Sequence, residues 1–364
     1  MRRRQAAVLL LASSGGVLGC GSTGLLFEDE IETTAADANA ANMELDAAAP
    51  GVTVPPVTEV PPDAALPPIQ IVVSADASPS MCPDAGGTLI YLVSESSALL
   101  SFDPVSWTFS RIGSISCPTV GPAPGVATNC QGPPGSAPTP FSMAVDRTGI
   151  AYMEFCDGEL FRVSTANAAC EATGFVAGQQ GFATVFGMGF VQDTTDPNET
   201  LFVASGAAGA NGEPPTLASI DTSTFALRVV APFSQTDGGS SAANAELTGT
   251  GAGDLYGFFP IAGPTPPVSQ ASAIAQIDKA TAHIIEQSDL PFGQGSGYAF
   301  AFWGGDFYTF TGLANTAANI ATVVHRFRPS DGTVVDVAST PDLVVGAGVS
   351  TCAPQVLPAF PSPK

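Results

Sequence analysis

The chain has 364 residues, with 33 acids against 11 lysines and arginines and a formal net charge of −22. That balance excludes nucleic acid as a partner, because phosphate binding needs a field of Lys and Arg, and it disfavours docking on anionic headgroups. Gly (39) and Pro (32) together make about a fifth of the chain and no long, capped amphipathic helical period occurs, which is the composition of short strands separated by many turns.

In chain order, Met1 to Gln5 carries three arginines, Ala6 to Ala12 is apolar, and small residues lead to Val17-Leu18-Gly19-Cys20. A charged start, a short apolar core and a small residue before the cut predict a secretory signal over residues 1–19, too short to span a bilayer. Val17-Leu18-Gly19-Cys20 resembles the lipobox of bacterial lipoproteins. The resemblance covers the first twenty residues and implies that Cys20 is acylated and becomes the mature N-terminus. Gly21 and Ser22 follow where an Asp would favour inner-membrane retention. The expectation is an exported outer-membrane lipoprotein, on its periplasmic face or the cell surface, touching the membrane through its lipid anchor.

From Gly21 to Ala85 there are eleven acids and no Lys or Arg, and Pro55-Pro56, Pro61-Pro62 and Pro67-Pro68 interrupt the segment. Self-repelling charge and proline stiffness predict a disordered stalk over residues 20–85. Ile69 to Val73 has strand character and could dock on a domain edge, but it is assigned to the stalk.

A folded domain is expected over residues 86–354, with a Pro-rich tail at 355–364. Its clearest signal is a repeated unit in which an alternating strand runs into a turn and a second strand. The five turns open around Asp103, Ser164, Asp221, Asp278 and Arg328, about every 50–60 residues. Asp and Ser at such positions bond the backbone two residues on. Upstream of four units lie an inner strand rich in small residues and a second strand. The inner strands are Ser142 to Val145, Gly187 to Val191, Glu246 to Thr250 and Ala299 to Trp303. Small residues suit the place where blades converge on an axis. The first unit, with strands at Thr88 to Val93, Leu99 to Phe102 and Thr108 to Ile112, lacks an inner strand, and Val344 to Thr351 is a spare one. The fold class is therefore all-β, a β-propeller of five four-stranded blades closed by the C-terminal strand. Six blades is the alternative, with strands hidden at Ile69 to Val73 or Gly121 to Pro140.

Phrases such as Ser142-Met143-Ala144-Val145-Asp146, Ala301-Phe302-Trp303-Gly304-Gly305-Asp306-Phe307-Tyr308 and Gly346-Ala347-Gly348-Val349-Ser350-Thr351-Cys352 resemble an uncharacterised group of exported propeller-like proteins in myxobacterial genomes. The resemblance covers roughly Thr88 to Pro354 and implies no activity.

Besides Cys20 there are six cysteines: Cys82, Cys117, Cys130, Cys156, Cys170 and Cys352. An even count in an exported chain implies disulfides. The simplest pairings are Cys117 with Cys130 and Cys156 with Cys170, while Cys82 and Cys352 flank the domain and could tie its ends. No C-x-x-C pair occurs, and His283 and His325 lie at no ligand spacing from a cysteine, so no metal and no cofactor are expected.

A propeller hydrolase, glycosidase- or lactonase-like, would need convergent axial carboxylates. Asp146, Asp193, Asp254 and Asp306 fall at strand-to-strand turns, where turn formation accounts for them. Glu246 alone lies in an inner strand and is the one catalytic candidate. His283 belongs to an outer strand and His325 reads as a packed or edge histidine. Aromatics Tyr256, Phe259 and Trp303, with Asp306, are candidates for ligand binding at a mouth, and core packing is the competing expectation for them. The favoured reading is a non-enzymatic binding or scaffolding propeller, with an envelope protein, a peptide or a glycan as partner.

Overall fold

A computed structural model describes residues 68–69, 89–121, 130, 136–193, 198–206, 214–235, 244–261, 271–312 and 321–357. The segments expected to be signal and stalk, with Cys20 and Cys82, lie outside the described residues apart from Pro68 and Ile69. The described chain forms five antiparallel four-stranded sheets. Blade 1 contains β1 (Ile90–Ser94), β2 (Ala98–Asp103) and β3 (Thr108–Ser114). Blade 2 contains β4 (Pro140–Val145), β5 (Ile150–Phe155), β6 (Leu160–Ser164) and β7 (Cys170–Ala172). Blade 3 contains β8 (Phe186–Gln192), β9 (Glu199–Ser205), β10 (Thr216–Ile220) and β11 (Leu227–Pro232). Blade 4 contains β12 (Glu246–Gly249), β13 (Leu255–Pro260), β14 (Ser272–Ile277) and β15 (Ile284–Leu290). Blade 5 contains β16 (Gly297–Trp303), β17 (Asp306–Gly312), β18 (Thr322–Arg328) and β19 (Thr333–Thr340).

The last strand, β20 (Val344–Gly348), pairs with β1 and supplies blade 1 with its inner strand. The ring is thus closed by hydrogen bonds between the two ends of the domain, as the missing first strand and the spare last one predict. Five blades form among the described residues.

The turns between third and fourth strands carry the predicted chemistry. Asp103 Oδ1 accepts from Val105 N at 2.8 Å, Asp221 Oδ1 from Ser223 N at 2.8 Å and Asp278 Oδ1 from Ala280 N at 2.8 Å. Ser164 Oγ accepts from Ala166 N at 3.3 Å. In each turn the chain then passes through positive φ, at Trp107, Ala168, Phe225, Ala282 and Gly332. Blade 5 has Arg328 where the others have Asp or Ser, and there the left-handed position falls to Gly332, which adopts it without steric cost.

The core is not one body but five seams, each between neighbouring blades. Leu92, Phe102, Tyr308 and Phe310 join blades 1 and 5. Val93, Leu99, Met153 and Phe161 join blades 1 and 2, and Tyr152, Phe186 and Phe190 join blades 2 and 3. Phe202, Leu217, Leu247 and Phe259 join blades 3 and 4. Because both faces of the two innermost strands of each blade are covered, these strands are buried almost without interruption, whereas the outermost strands stay largely exposed.

The seam between blades 4 and 5 is the most aromatic. Phe307 lies 4.8 Å from Tyr256 and 5.4 Å from both Phe300 and Phe302. Each such pair contributes about 0.5–1.5 kcal/mol beyond area burial. Ile69 is fully buried in this seam, and its backbone N–H donates to Ser288 Oγ at 3.2 Å. This residue therefore packs in the propeller rather than standing free in the stalk, as its docking alternative had it.

Two disulfides close the blade 1–blade 2 side: Cys117–Cys170 and Cys130–Cys156. The local pairings expected from sequence are overturned. Cys156 precedes β6, whereas Cys170 pairs with Val163 towards the far end of that strand, so the two face different ends of the blade. Cys352 is disulfide-bonded as well, to a partner outside the described residues.

Candidate functional site

Each inner strand begins at the same face of the ring, since it follows the outer strand of the blade before. At this face lie the strand ends that bound the longer connections, 115–139, 173–185, 206–215, 233–245, 261–271 and 313–321. At the opposite face no connection between consecutive strands exceeds six residues. We refer to the two as the loop face and the turn face.

Between the faces the axis is closed by backbone. A Cβ on Gly187 would lie 2.0 Å from Ala245 O, and one on Gly249 would lie 2.1 Å from Phe190 O. Gly346 and Gly348 approach Met143 N and Val145 N in the same way, at 2.9 and 2.7 Å. Glycine is required where two backbones meet this closely. Midway down, a void of about 10 Å3 remains among Ala144, Met188, Leu247, Thr248 and Ala347, room for about one water.

Just under the loop face sits Glu246, the first residue of β12. It is 3% exposed and accepts a hydrogen bond from Ser142 Oγ at 2.9 Å. Ser142 is the cross-strand partner of Glu154, which has no exposure, and Glu154 Oε2 accepts from Phe186 N at 2.9 Å. Phe186 precedes Gly187, whose Cα faces Glu246. Three blades thus bring two carboxyl groups together on the axis. Burial pushes both well above the usual carboxylate range; for Glu154 the neighbouring Glu246 and Asp157 add to the rise, and for both groups the hydrogen bonds oppose it.

Glu154 was not found by sequence reasoning. The signal was present: one acid between Met153 and Phe155, inside a strand otherwise buried and apolar. A carboxyl is almost never fully buried without a specific reason. Here burial favours the neutral form of both carboxyl groups in a closed interior. It offers no approach for a substrate, because neither side chain reaches solvent.

The four turn acids go elsewhere, to the turn face. Asp146 Oδ1 accepts from Thr148 N and Ile150 N, both at 2.9 Å. Asp193 bonds Thr200 Oγ1 at 3.1 Å, and Asp254 accepts from Gln276 Nε2 at 3.1 Å. Asp306, 3% exposed, is paired with Arg328 Nε at 3.3 Å and Arg326 Nε at 3.6 Å. None of the four converges with Glu246.

Tyr256, Phe259 and Trp303 are 1%, 0% and 2% exposed. They lie in seams between blades, so the aromatic cluster belongs to the interior rather than to a mouth, whereas Asp306 lines a cleft of about 340 Å3 at the turn face with Gly304, Gly305 and Arg328. His283 is half-buried and meets Ser234 Oγ through Nδ1 at 3.2 Å. His325 joins Thr311 Oγ1 (2.8 Å) to Asp336 Oδ1 (2.5 Å), with Phe292 stacked on its ring at 3.9 Å. The order hydroxyl, imidazole, carboxylate is that of an activated nucleophile, but these groups run across three adjacent strands under a covering ring, the geometry of a cross-strand ladder. Among the described residues no three His, Cys, Asp or Glu side chains are grouped to hold a metal ion.

No protein-family model matches the chain, and no curated protein matches it. Solved structures with a similar course include TolB from Acinetobacter baumannii, at 12% identity and a TM-score of 0.35, over 70% of this chain and 53% of that one. The chain thus spans about half the length of that structure. A protein of unknown function from Bacteroides caccae is similar at 10% identity and a TM-score of 0.36, over 72% and 98% of the two chains. An exo-β-1,3-galactanase from Phanerochaete chrysosporium is similar at 10% identity and 0.39, over 59% and 53%. The blade count stands on the strand pairing, and the chain is an all-β protein of five propeller blades.

Proposed function

We propose that this protein is an exported lipoprotein, acylated at Cys20, whose propeller is a non-enzymatic binding module presenting its loop face to a partner in the envelope. The observation that carries the reading is the state of the axis. Both axial glutamates are closed over, and both are held by the chain's own groups, Ser142 and Phe186. Axial catalysis needs carboxylates that meet a substrate. Long connections gather at one face of a rigid scaffold, the usual place for recognition. The disulfides suit an oxidising compartment outside the cytoplasm.

Turnover of a panel of glycosides, lactones and esters tests the reading against a hydrolase. No turnover above a heat-treated sample is expected. Turnover that disappears in Glu246→Gln, Glu154→Gln or His325→Ala overturns it. Anchoring is tested by labelled palmitate: incorporation is expected in the natural chain and not in Cys20→Ser, and equal labelling removes the anchor from the proposal.

A further inference from the structure

The turn-face cleft of blade 5, about 340 Å3, falls within the size range of small-molecule pockets. Its walls are the β16–β17 turn, the β18–β19 turn from Arg328 to Ser330, and the segment after β20 at Val356 and Leu357. Ile69 and Pro329, both buried, complete its apolar part. Val356 and Leu357 are 53% and 41% exposed, so the apolar rim is open to solvent.

The β18–β19 turn departs from its four counterparts. In those an Asp or Ser opens the turn and bonds the backbone two residues on, whereas here Arg328 takes the position. Asp331 bonds the backbone instead, its Oδ1 accepting from Thr333 N at 2.9 Å. Arg328 crosses to Asp306, donating from Nε at 3.3 Å and from Nη2 at 3.4 Å. Those bonds use two of the five N–H donors of a guanidinium. Near Nη1 stands Asp331 Oδ2 at 3.9 Å, beyond hydrogen-bond length, and Asp331 is 50% exposed. Such a contact contributes little. The Arg328 side chain lines the cleft and is 31% exposed, so a ligand there meets it. Asp306 is shared with Arg326, whose Nε lies 3.6 Å away and whose guanidinium is held over the Trp107 ring at 5.9 Å. Two cations around one buried carboxylate leave a positive charge at the cleft, in a chain of net charge −22.

We infer that this cleft is a binding site for a small aliphatic carboxylate. The carboxylate would accept from Arg328 Nη1, and the hydrocarbon chain would lie along Pro329, Val356 and Leu357. A single positive charge matches a monoanion, whereas a dianion such as phosphate would also meet Asp306 and Asp331. The chain and the exposed rim leave water together, a gain that a short, fully polar acid does not have. The cleft lies at the face opposite the one proposed for an envelope partner, so the inference goes beyond that reading and does not rest on it.

The test is calorimetric titration of the purified full chain, disulfides oxidised, with octanoate, 1-octanol, acetate and inorganic phosphate. Saturable binding of octanoate is expected, with 1-octanol weaker by about tenfold or more, the value of a hydrogen bond to a charged group. Acetate, which lacks the chain, should be weaker by at least the same factor. Arg328→Gln should lose about tenfold in octanoate affinity. Asp331→Asn removes a competing charge at an exposed position and keeps an oxygen for Thr333 N. That variant should bind octanoate about two- to fivefold more tightly and leave 1-octanol unchanged, and it decides the matter if Arg328→Gln does not fold. Equal affinity for octanoate and 1-octanol, no saturable octanoate binding, or tighter binding of phosphate than of octanoate each overturns the inference. So does an octanoate affinity unchanged in Asp331→Asn or in folded Arg328→Gln. None of these outcomes bears on the substrate panel or on palmitate labelling, which test the proposed function.

Discussion

Substituting Gly187 by alanine probes the closed axis directly. The new Cβ would lie 2.0 Å from Ala245 O, 2.8 Å from Glu246 Cα and 2.9 Å from Ala245 C. All three atoms are backbone, so no rotamer change relieves the clash, and β8 and β12 must separate by about 1 Å to restore ordinary contact. β12 is also packed on β16, so the shift spreads around the ring. Overpacking of this kind costs about 1–3 kcal/mol and occasionally more. With backbone on both sides we expect the top of that range, which corresponds to a fall in Tm of about 6–12 °C. The control is Gly174→Ala, where the nearest atom is Phe225 Cδ2 at an ordinary 3.6 Å, and the change should stay within about 0.5 kcal/mol. Urea unfolding with disulfides intact, followed by tryptophan fluorescence, measures both. If Gly187→Ala unfolds with the control, the strands are not in backbone contact, and the argument that the axis is closed to substrates fails with them.

Other perturbations follow from the same geometry. Glu154 and Glu246 have carboxyl values raised by burial above the ordinary 4.5, so between that value and the folded ones the folded state binds more protons than the unfolded chain. Their contribution is fully present below about pH 4.5 and is lost as pH rises through the folded values. Glu154→Gln with Glu246→Gln should therefore flatten the fall of stability with pH, and a variant-minus-natural difference constant from about pH 4 to pH 8 refutes the assignment. Replacing Cys117 and Cys170 by serine opens a 53-residue separation and should cost about 4 kcal/mol, against about 3.5 kcal/mol for the 26-residue Cys130–Cys156 pair. Non-reducing peptide mapping should return those two pairs and, with Cys20 acylated as proposed, place Cys352 with Cys82; a Cys117–Cys130 peptide contradicts the arrangement. Ile69→Ala should destabilise the propeller by about 2–4 kcal/mol in the same urea assay, and a change below about 0.5 kcal/mol would return Ile69 to the stalk.

The blade count and the manner of closure were legible in the sequence because their causes are local. Asp103, Asp221 and Asp278 announce turns through bonds reaching only two residues, and the alternation of each strand is visible within six. Closure by Val344–Gly348 follows from counting: blade 1 lacks an inner strand and the end of the chain has one to spare. Even Gly187, Gly249 and Gly348 could be read as signs of close backbone approach, though not of what they approach.

What the tertiary structure decided depends on which strand end meets which blade. Glu154 and Glu246 are 92 positions apart in sequence, and only the packing of β4, β8 and β12 around the axis brings them together and shuts out water. The disulfides tie the connection between blades 1 and 2 to blade 2 itself, and Cys156 and Cys170 do not pair because they fall at opposite ends of β6. Tyr256, Phe259 and Trp303 could have lined a mouth or filled a seam; their alternation is the same in either case, since a propeller blade is covered on both faces.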